Sequence, residues 1–455
     1  MKHIHLIGIG GTGLSAIARV LLESGYEVSG SDRSPSPLSE ALEVDGVKVV
    51  IGHNPENIRG ADLIVRSSAI ADDNPEVVAA TKVGIPVLKR SEFLDQMLSD
   101  KLSIAVAGTH GKTTTTAMIA WMLVKLDQDP SYIVGGVLKN LNRNAHAGKG
   151  PIFVIEADEY DRMFLGIKPK LLVVTNIEHD HPDCFPTPEK YYEAFLDFTA
   201  QLEESGTILG FGDNPGSARL IAEASKRGQM TFTYGLNPSN DYQGRNLTIN
   251  TMGCFDLDVC YHNSLLGRLQ LQVAGEHNAC NAISAAAIAH QLGLPLEGAF
   301  AALRGFRGTS RRFDVLGEAD GITVIDDYAH HPTEIRATLA AARAKYPARR
   351  IWAVWQPHTF SRTRTLQQDF VNSFADADQA IITAIYAARE TQSDFTAEQL
   401  VRSIKHPAAR YAATLEEATG YLLKNLQPGD VLIVLSAGDA DQVSSNVLAA
   451  LQGRK

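Results

Sequence analysis

Ser103 to Thr116 reads SIAVAGTHGKTTTT. A run of small and branched apolar residues ends at Gly108, and Met118, Ile119, Met122 and Leu123 recur at helical spacing beyond Lys112. A buried strand, a tight loop and a helix are predicted in that order. A loop of this kind binds phosphate. Its N–H groups surround the phosphate oxygens, Lys112 places a point charge on the β and γ groups, and the Thr113 hydroxyl reaches Mg²⁺. The spacing is shorter than the strict G-x-x-x-x-G-K-[ST] form, whose first glycine would fall on Val106. Gly108, Thr109, His110, Gly111, Lys112, Thr113 and Thr114 are therefore the candidate nucleotide-binding residues.

The same strand-then-helix grammar extends in both directions. Toward the N-terminus, His3 to Ile9 is apolar, Leu14, Ile17, Ala18, Leu21 and Leu22 follow at spacings of three and four, and Glu27 to Gly30 opens another strand. Toward the C-terminus, strands are predicted at Ile152 to Ile155, Leu171 to Thr175, Ile351 to Trp355, Ala380 to Ile385 and Val431 to Leu435. Between about Thr207 and Leu271 the helix signal fades into shorter β-like segments. The fold class is α/β in three units, 1–100, 101–312 and 313–455, in keeping with 455 residues at about 150 per domain.

Composition narrows the function. At 44% hydrophobic and 21% charged the chain has a globular profile, and its net charge of −10 gives no general field that would draw it to nucleic acid or anionic lipid. Anionic ligands must be held locally. No apolar run approaches the roughly 18 residues of a membrane helix, so no membrane insertion is expected. Cys184, Cys254, Cys260 and Cys280 form neither a CxxC pair nor a zinc spacing, which points to a reduced, cytoplasmic setting.

Further constellations lie at predicted strand ends. Gly8-Ile9-Gly10-Gly11-Thr12-Gly13 fits G-x-G-x-x-G, with Asp32 nineteen positions beyond Gly13. Such a loop suits a dinucleotide, but any nucleotide diphosphate at a helix N-terminus could use it. Glu156-Ala157-Asp158-Glu159 and Asn176-Ile177-Glu178-His179-Asp180-His181 each follow a strand. Oxygen ligands suit Mg²⁺, and Glu156 is favoured over its neighbours, with Glu178 and Asp183 read as bystanders. His277, Asn278 and Asn281 suit either an adenine edge or ordinary helix capping. Arg304, Arg307, Arg311 and Arg312, and then Arg362 and Arg364, are tight basic clusters suited to anions. Asp326, Asp327, Tyr328, His330 and His331 form a polar edge after ITVI.

GIGGTGLS, GTHGKTTTT, EADE, NIEHDH, RRF, DDYAHHPTE, QPHTFSRT, IYAARE and SAGD occur in that order between Ile7 and Asp439, and in this combination the chain resembles the Mur ligases. The resemblance implies an N-terminal Rossmann-like UDP-binding domain, a central P-loop ATPase domain and a C-terminal Rossmann-like domain for the amino acid. It implies an ATP-dependent ligase that joins L-alanine to the lactyl carboxylate of UDP-N-acetylmuramate through an acyl phosphate, with ATP and Mg²⁺, in peptidoglycan precursor synthesis. The alternative is a relative that adds a whole tripeptide to the same UDP-sugar in cell-wall recycling. By carry-over, Gly10, Gly11, Thr12, Gly13, Asp32, Ser67 and Ser68 hold the UDP-sugar. Thr113, Glu156 and His181 hold Mg²⁺, Asn281 meets adenine, and Arg311 reaches the ATP phosphates. Tyr328, His330, His358 and Arg362 receive the amino acid, and Lys112, Glu156, His181 and His330 form the catalytic set. A monomer or weak dimer is expected.

Three departures from the family's wording stand out. EADEYD replaces EADESD, DHPD replaces DH followed by Leu or Met and Asp, and IYAARE replaces IYAAGE. The first resembles the tripeptide-adding relative, whereas QPHTFSRT and IYAARE resemble the family members that add alanine. Tyr191 to Ser225 contains no lysine, so the carbamylated lysine of some Mur ligases is not expected. Three sites in three units must meet at one reacting centre, which predicts closure of the units around it.

Overall fold

The computed structural model describes residues 2–391 and 394–453. The first sheet has five parallel strands in the order Lys48–Ile51, Glu27–Asp32, His3–Ile7, Leu63–Arg66 and Val87–Lys89. Strand order reverses at His3–Ile7. The glycine loop after it therefore opens at a topological switch point, where sheets of this kind bind ligands.

The central sheet has ten strands, with Leu102–Ala107 between Leu171–Val174 and Ile152–Glu156 and parallel to both. The helix Lys112–Lys125 that follows is buried continuously from Thr113 to Leu123, wedged between sheet and the helix Glu276–Gln291. The β-rich elaboration is an antiparallel meander of Tyr242–Ile249, Phe255–Tyr261 and Ser264–Gln270 at the sheet's edge. One helix, Pro215–Lys226, lies where the helical pattern fades. It buries only Ser217, Leu220, Ile221 and Ala224, a stripe too thin to stand out in sequence, and Asn214 caps it by accepting from Ser217 N at 2.9 Å.

The C-terminal sheet runs Asp314–Ala319, Ile322–Asp327, Val431–Leu435, Ile351–Trp355, Gln379–Thr383 and Ala409–Ala412. Only its first strand is antiparallel. Trp355 is fully buried there with its ring 4.4 Å from Phe370. The first and central units share one apolar cluster that includes Ile17, Leu21, Phe153 and Phe198, and the helix Thr12–Glu23 packs on the strands Ser131–Leu138 and Arg143–His146. The loops leaving the C-terminal ends of the central and C-terminal strands face one another across a seam. Among the described residues no helix is long and apolar enough to cross a membrane.

Beneath the first sheet, Glu76 is wholly buried. Its carboxylate accepts from Ser31 Oγ at 2.6 Å, Asn57 Nδ2 at 2.7 Å and the Asn54 amide at 3.1 Å, and faces His5 Nε2 at 3.2 Å. Burial alone would raise its pKa, but the hydrogen bonds from His5, Ser31 and Asn57 and the charge on His5 outweigh it and hold the group at about 2. The folded value lies below the ordinary 4.5, so this stabilisation is complete above about pH 4.5 and is lost as pH falls through about 2. Glu76→Ala is expected to destabilise the fold by about 3–5 kcal/mol at pH 7, because it strands several buried donors. Denaturant unfolding from pH 7 to pH 2 checks this; an equal acid dependence in both proteins would contradict it.

Candidate active site

The loop from Gly108 to Gly111 turns because neither end tolerates a side chain. Gly108 has φ +136°, and a Cβ there would overlap Thr175 Oγ1. Lys112 Nζ donates to Gly108 O and Thr109 O at 2.5 and 3.1 Å and pairs with Glu159 at 2.8 Å. Burial opposes the charge on Lys112, but Glu159 above all raises its pKa, and Glu159 in turn is held at about 2 against its own burial, chiefly by Lys112. Beside this pair, Glu156 accepts from Thr113 Oγ1 at 2.9 Å and from the Gly135 amide at 2.6 Å. Burial raises the Glu156 pKa despite Lys112, which is the condition of a carboxylate short of positive charge. Two hard oxygen donors side by side, one of them electrostatically unsatisfied, fit Mg²⁺.

A cavity of about 610 Å³ opens from this loop toward the C-terminal unit. Gly111, Thr114, Asn281, His277 and Arg312 are among the residues that line it. Asn281 lies directly under Gly111, where a Cβ would stand 3.0 Å from its Oδ1, and its Nδ2 donates to Asn278 Oδ1 at 3.1 Å. Burial pushes His277 down to about 4, so it is neutral in the wall.

The far wall is the start of the helix Pro332–Lys345. His110 Nδ1 faces Glu334 at 3.2 Å, and its Nε2 faces Glu178 at 3.6 Å. Burial would lower the His110 pKa, but Glu334 and Glu178 outweigh it and raise it to about 9. Glu178 also accepts from Thr333 Oγ1 at 2.6 Å, so it joins central loop to C-terminal helix and is no bystander. Glu334 accepts from the amides of His330 and His331 at 3.0 and 3.2 Å and pairs with Arg312 at 3.6 Å.

Further along the seam Arg362 is almost fully buried. It donates from Nε to Asp180 Oδ1 at 2.6 Å, from Nη1 to His358 Nδ1 at 3.0 Å and from Nη2 to His181 Nδ1 at 3.3 Å. His358 therefore carries its hydrogen on Nε2. His330 donates Nδ1–H to Tyr328 O at 2.9 Å, which leaves Nε2 as a lone pair. The two rings lie 5.7 Å apart, and burial first of all depresses them to about 4 for His330 and about 3 for His358. Tyr328 stands edge-on to His330 at 5.5 Å.

In the first unit, Gly10, Gly11, Thr12 and Gly13 sit at the start of the helix Thr12–Glu23. Asp32 accepts from the Gly10 amide at 2.9 Å and the Arg33 amide at 2.7 Å, so it braces the loop. Ser67 donates its amide to Ile7 O at 3.0 Å, and exposed Ser68 lies 4.0 Å from Met163 Sδ of the central unit. Arg90 is a residue that no sequence motif signals. It packs so closely on Gly13 that a Cβ there would overlap its Nη1, its Nε has no hydrogen-bond partner among the described residues, and Asp158 stands 3.6 Å away.

One expectation needs correction. Arg311 does not line the 610 Å³ cavity. With φ +57° it turns away, donating to Asp326 at 3.1 Å and Ser436 O at 2.8 Å, and its neighbour Arg312 lines the cavity instead. Of the expected metal ligands, Thr113 donates to Glu156 at 2.9 Å, and His181 stands 3.6 Å from Glu159 and 3.8 Å from Asp180. Left-handed backbone at His181, Arg311, Phe313, Thr359 and Ala388 concentrates strain on these loops, which is frequent at functional sites.

Comparison with known proteins agrees with this geometry. Sequence patterns described as "Mur ligase family, catalytic domain", "Mur ligase middle domain" and "Mur ligase, glutamate ligase domain" match residues 3–102, 106–289 and 311–438. A UDP-N-acetylmuramate–L-alanine ligase of Roseiflexus sp. (strain RS-1) is 42% identical, covering 99% of each chain. One of Acidobacterium capsulatum is 43% identical, over 100% of this chain and 98% of its own. The crystal structure of a UDP-N-acetylmuramate-alanine ligase from Thermotoga maritima superposes with a TM-score of 0.84 at 28% identity over 100% of both chains. A murein peptide ligase from Psychrobacter arcticus gives 0.71 at 26% identity over 99% of both.

The charge on His110 is measurable. Its folded pKa of about 9 lies above the ordinary 6.5, so the bridge to Glu178 and Glu334 is complete below about pH 6.5 and is lost as pH rises through about 9. Imidazole NMR is expected to show His110 titrating near 9, and about one unit or more lower in Glu334→Gln. Titration near 6.5 in both proteins would contradict the bridge.

Proposed function

The chain belongs to the Mur ligase family, and from that premise we propose that it joins L-alanine to the lactyl carboxylate of UDP-N-acetylmuramate with cleavage of ATP, through an acyl phosphate, in peptidoglycan precursor synthesis. The observation that carries this reading is the convergence, on one seam, of the Lys112 loop and the neutral His330–His358 pair. Full-length relatives that carry this activity in their names support it, and the higher TM-score of the alanine ligase favours a single amino acid over a peptide as the amine. The family patterns support unit boundaries at 1–100, 101–312 and 313–455.

ATP lies in the 610 Å³ cavity, with adenine toward Asn281 and phosphates on the Gly108–Thr114 loop. The lactyl carboxylate attacks the γ-phosphorus, ADP leaves, and the amine attacks the acyl phosphate to release phosphate. Lys112 turns from the loop carbonyls to the transferring oxygens, and Arg312 adds charge from the opposite wall. Thr113 and Glu156, with His181 beside Glu159, would hold Mg²⁺, which would supply charge neutralisation at the phosphates. Asp32 and the Gly10–Gly13 loop orient the UDP-sugar, with Arg90 over the same helix start. The amine must be neutral to attack. His330 Nε2 is the lone pair in position to take its proton, and His358 and Arg362 with Tyr328 shape the pocket of the amino acid. The closed seam keeps water from the acyl phosphate.

Phosphate release with Mg·ATP and UDP-N-acetylmuramate is expected with L-alanine, at a rate at least about 100-fold higher than in Lys112→Ala. Release only with L-Ala-γ-D-Glu-meso-diaminopimelate would replace this reading by tripeptide addition. Silence with both amines would sink it.

A further inference from the structure

Tyr160 and Arg389 are two of the three positions at which the chain departs from the family's wording, and the third, Pro182, immediately precedes Asp183. Far apart in sequence, these residues meet at one point. Arg389 of the C-terminal unit lies over the Tyr160 ring of the central unit, 4.4 Å from its centroid. Its Nε donates to Asp183 Oδ2 at 3.0 Å, its Nη2 to the same oxygen, and the Tyr160 hydroxyl donates there as well at 3.2 Å.

The backbone makes Arg389 a placed residue. Ala388 holds φ +52°, a conformation that favours glycine, and so aims the next side chain across the seam. On one side Tyr386 is tied down, its amide donating to Pro357 O and its carbonyl accepting from Thr359 N, both at 2.8 Å. On the other, Glu390 accepts from the amides of Phe360 and Ser361 at 2.6 and 3.1 Å. Inward from the bridge lies the amine end of the site. Tyr160 stands edge-on to His181 at 5.1 Å, Arg362 joins His181 to His358, and His358 stacks on Tyr386 at 5.7 Å.

Arg389 is 47% exposed and Asp183 23%, so their ion pair adds little to stability. Its consequence is steric. An amine seated at the His330–His358 pair whose tail ran toward Tyr160 would meet Asp183 and Arg389 and would have to lift the guanidinium from that ring. We infer that the Tyr160–Asp183–Arg389 bridge is the selector for amine size in this chain, admitting one amino acid and rejecting a peptide whose tail would cross the seam. The inference rests on the ligase reading above, and acts by an obstacle to the wrong substrate rather than by contacts to the right one.

The test compares kcat/KM for L-alanine and for the dipeptide L-alanyl-D-glutamate, which presents the same amine with a tail, by phosphate release in the wild type, in Arg389→Ala and in the charge swap Asp183→Arg with Arg389→Asp. In Arg389→Ala the dipeptide-to-alanine ratio is expected to rise about tenfold or more, mainly through the dipeptide KM, with kcat for alanine within about threefold of wild type. The swap is expected to return the ratio toward wild type, because the bridge re-forms with its charges reversed. A ratio unchanged in Arg389→Ala, both amines moving in parallel, would overturn the inference in favour of a merely structural seam contact. A fall in the ratio would overturn it too, making Arg389 a receiver of the peptide carboxylate. Absence of alanine-dependent release in the wild type is a separate outcome: it removes the ligase reading, and the inference with it.

Discussion

Arg362 and Asp180 meet at 2.6 Å with both side chains about 95% buried, one from each side of the seam. A buried ion pair is costly unless every remaining hydrogen-bonding group is satisfied. Here two further guanidinium N–H groups go to His358 and His181, so one arginine orients a histidine ring in the C-terminal unit and another in the central unit. With the Thr333–Glu178 and Arg389–Asp183 contacts, this pair ties the central loops to the C-terminal unit.

The charges along the seam sort by place. At the Gly108–Gly111 loop, Lys112 is kept charged by Glu159, and His110 by Glu334 and Glu178. At the other end, burial keeps His330 and His358 neutral, with hydrogen bonds that select their tautomers. Both ends use the same residue type, and Glu334 faces His110 at 3.2 Å and His330 at 3.3 Å; at His330 burial, with the charge of Arg362, outweighs it, whereas at His110 Glu178 adds to it. The left-handed residues on the same loops are held by these contacts, so the strain they store is offset by the closure they permit.

Much of this was legible in sequence where the chemistry is local. The Gly108–Thr114 loop, the Gly8–Gly13 loop and the strands around them rest on neighbours a few residues apart. Residues whose meaning lies across the chain were not legible. Asp180 and Arg362 are separated by 182 positions, and nothing in NIEHDH or QPHTFSRT says that they pair. Arg311 and Arg312 are adjacent and chemically identical; a left-handed backbone at the first sends it to Asp326 and leaves the second for the cavity. Glu178 reads as a solvated loop residue until the helix Pro332–Lys345 is brought against it. Arg90 carries no motif, and its place over Gly13 emerges only when the first unit folds.

The central claim is that the seam activates a carboxylate by phosphoryl transfer before the amine arrives. Oxygen tracing tests it most directly. With UDP-N-acetylmuramate labelled with ¹⁸O in the lactyl carboxylate, one labelled oxygen is expected in the phosphate released with L-alanine, because that oxygen bridges carbon and phosphorus in the acyl phosphate. Phosphate that carries no label while amide product accumulates would contradict the account.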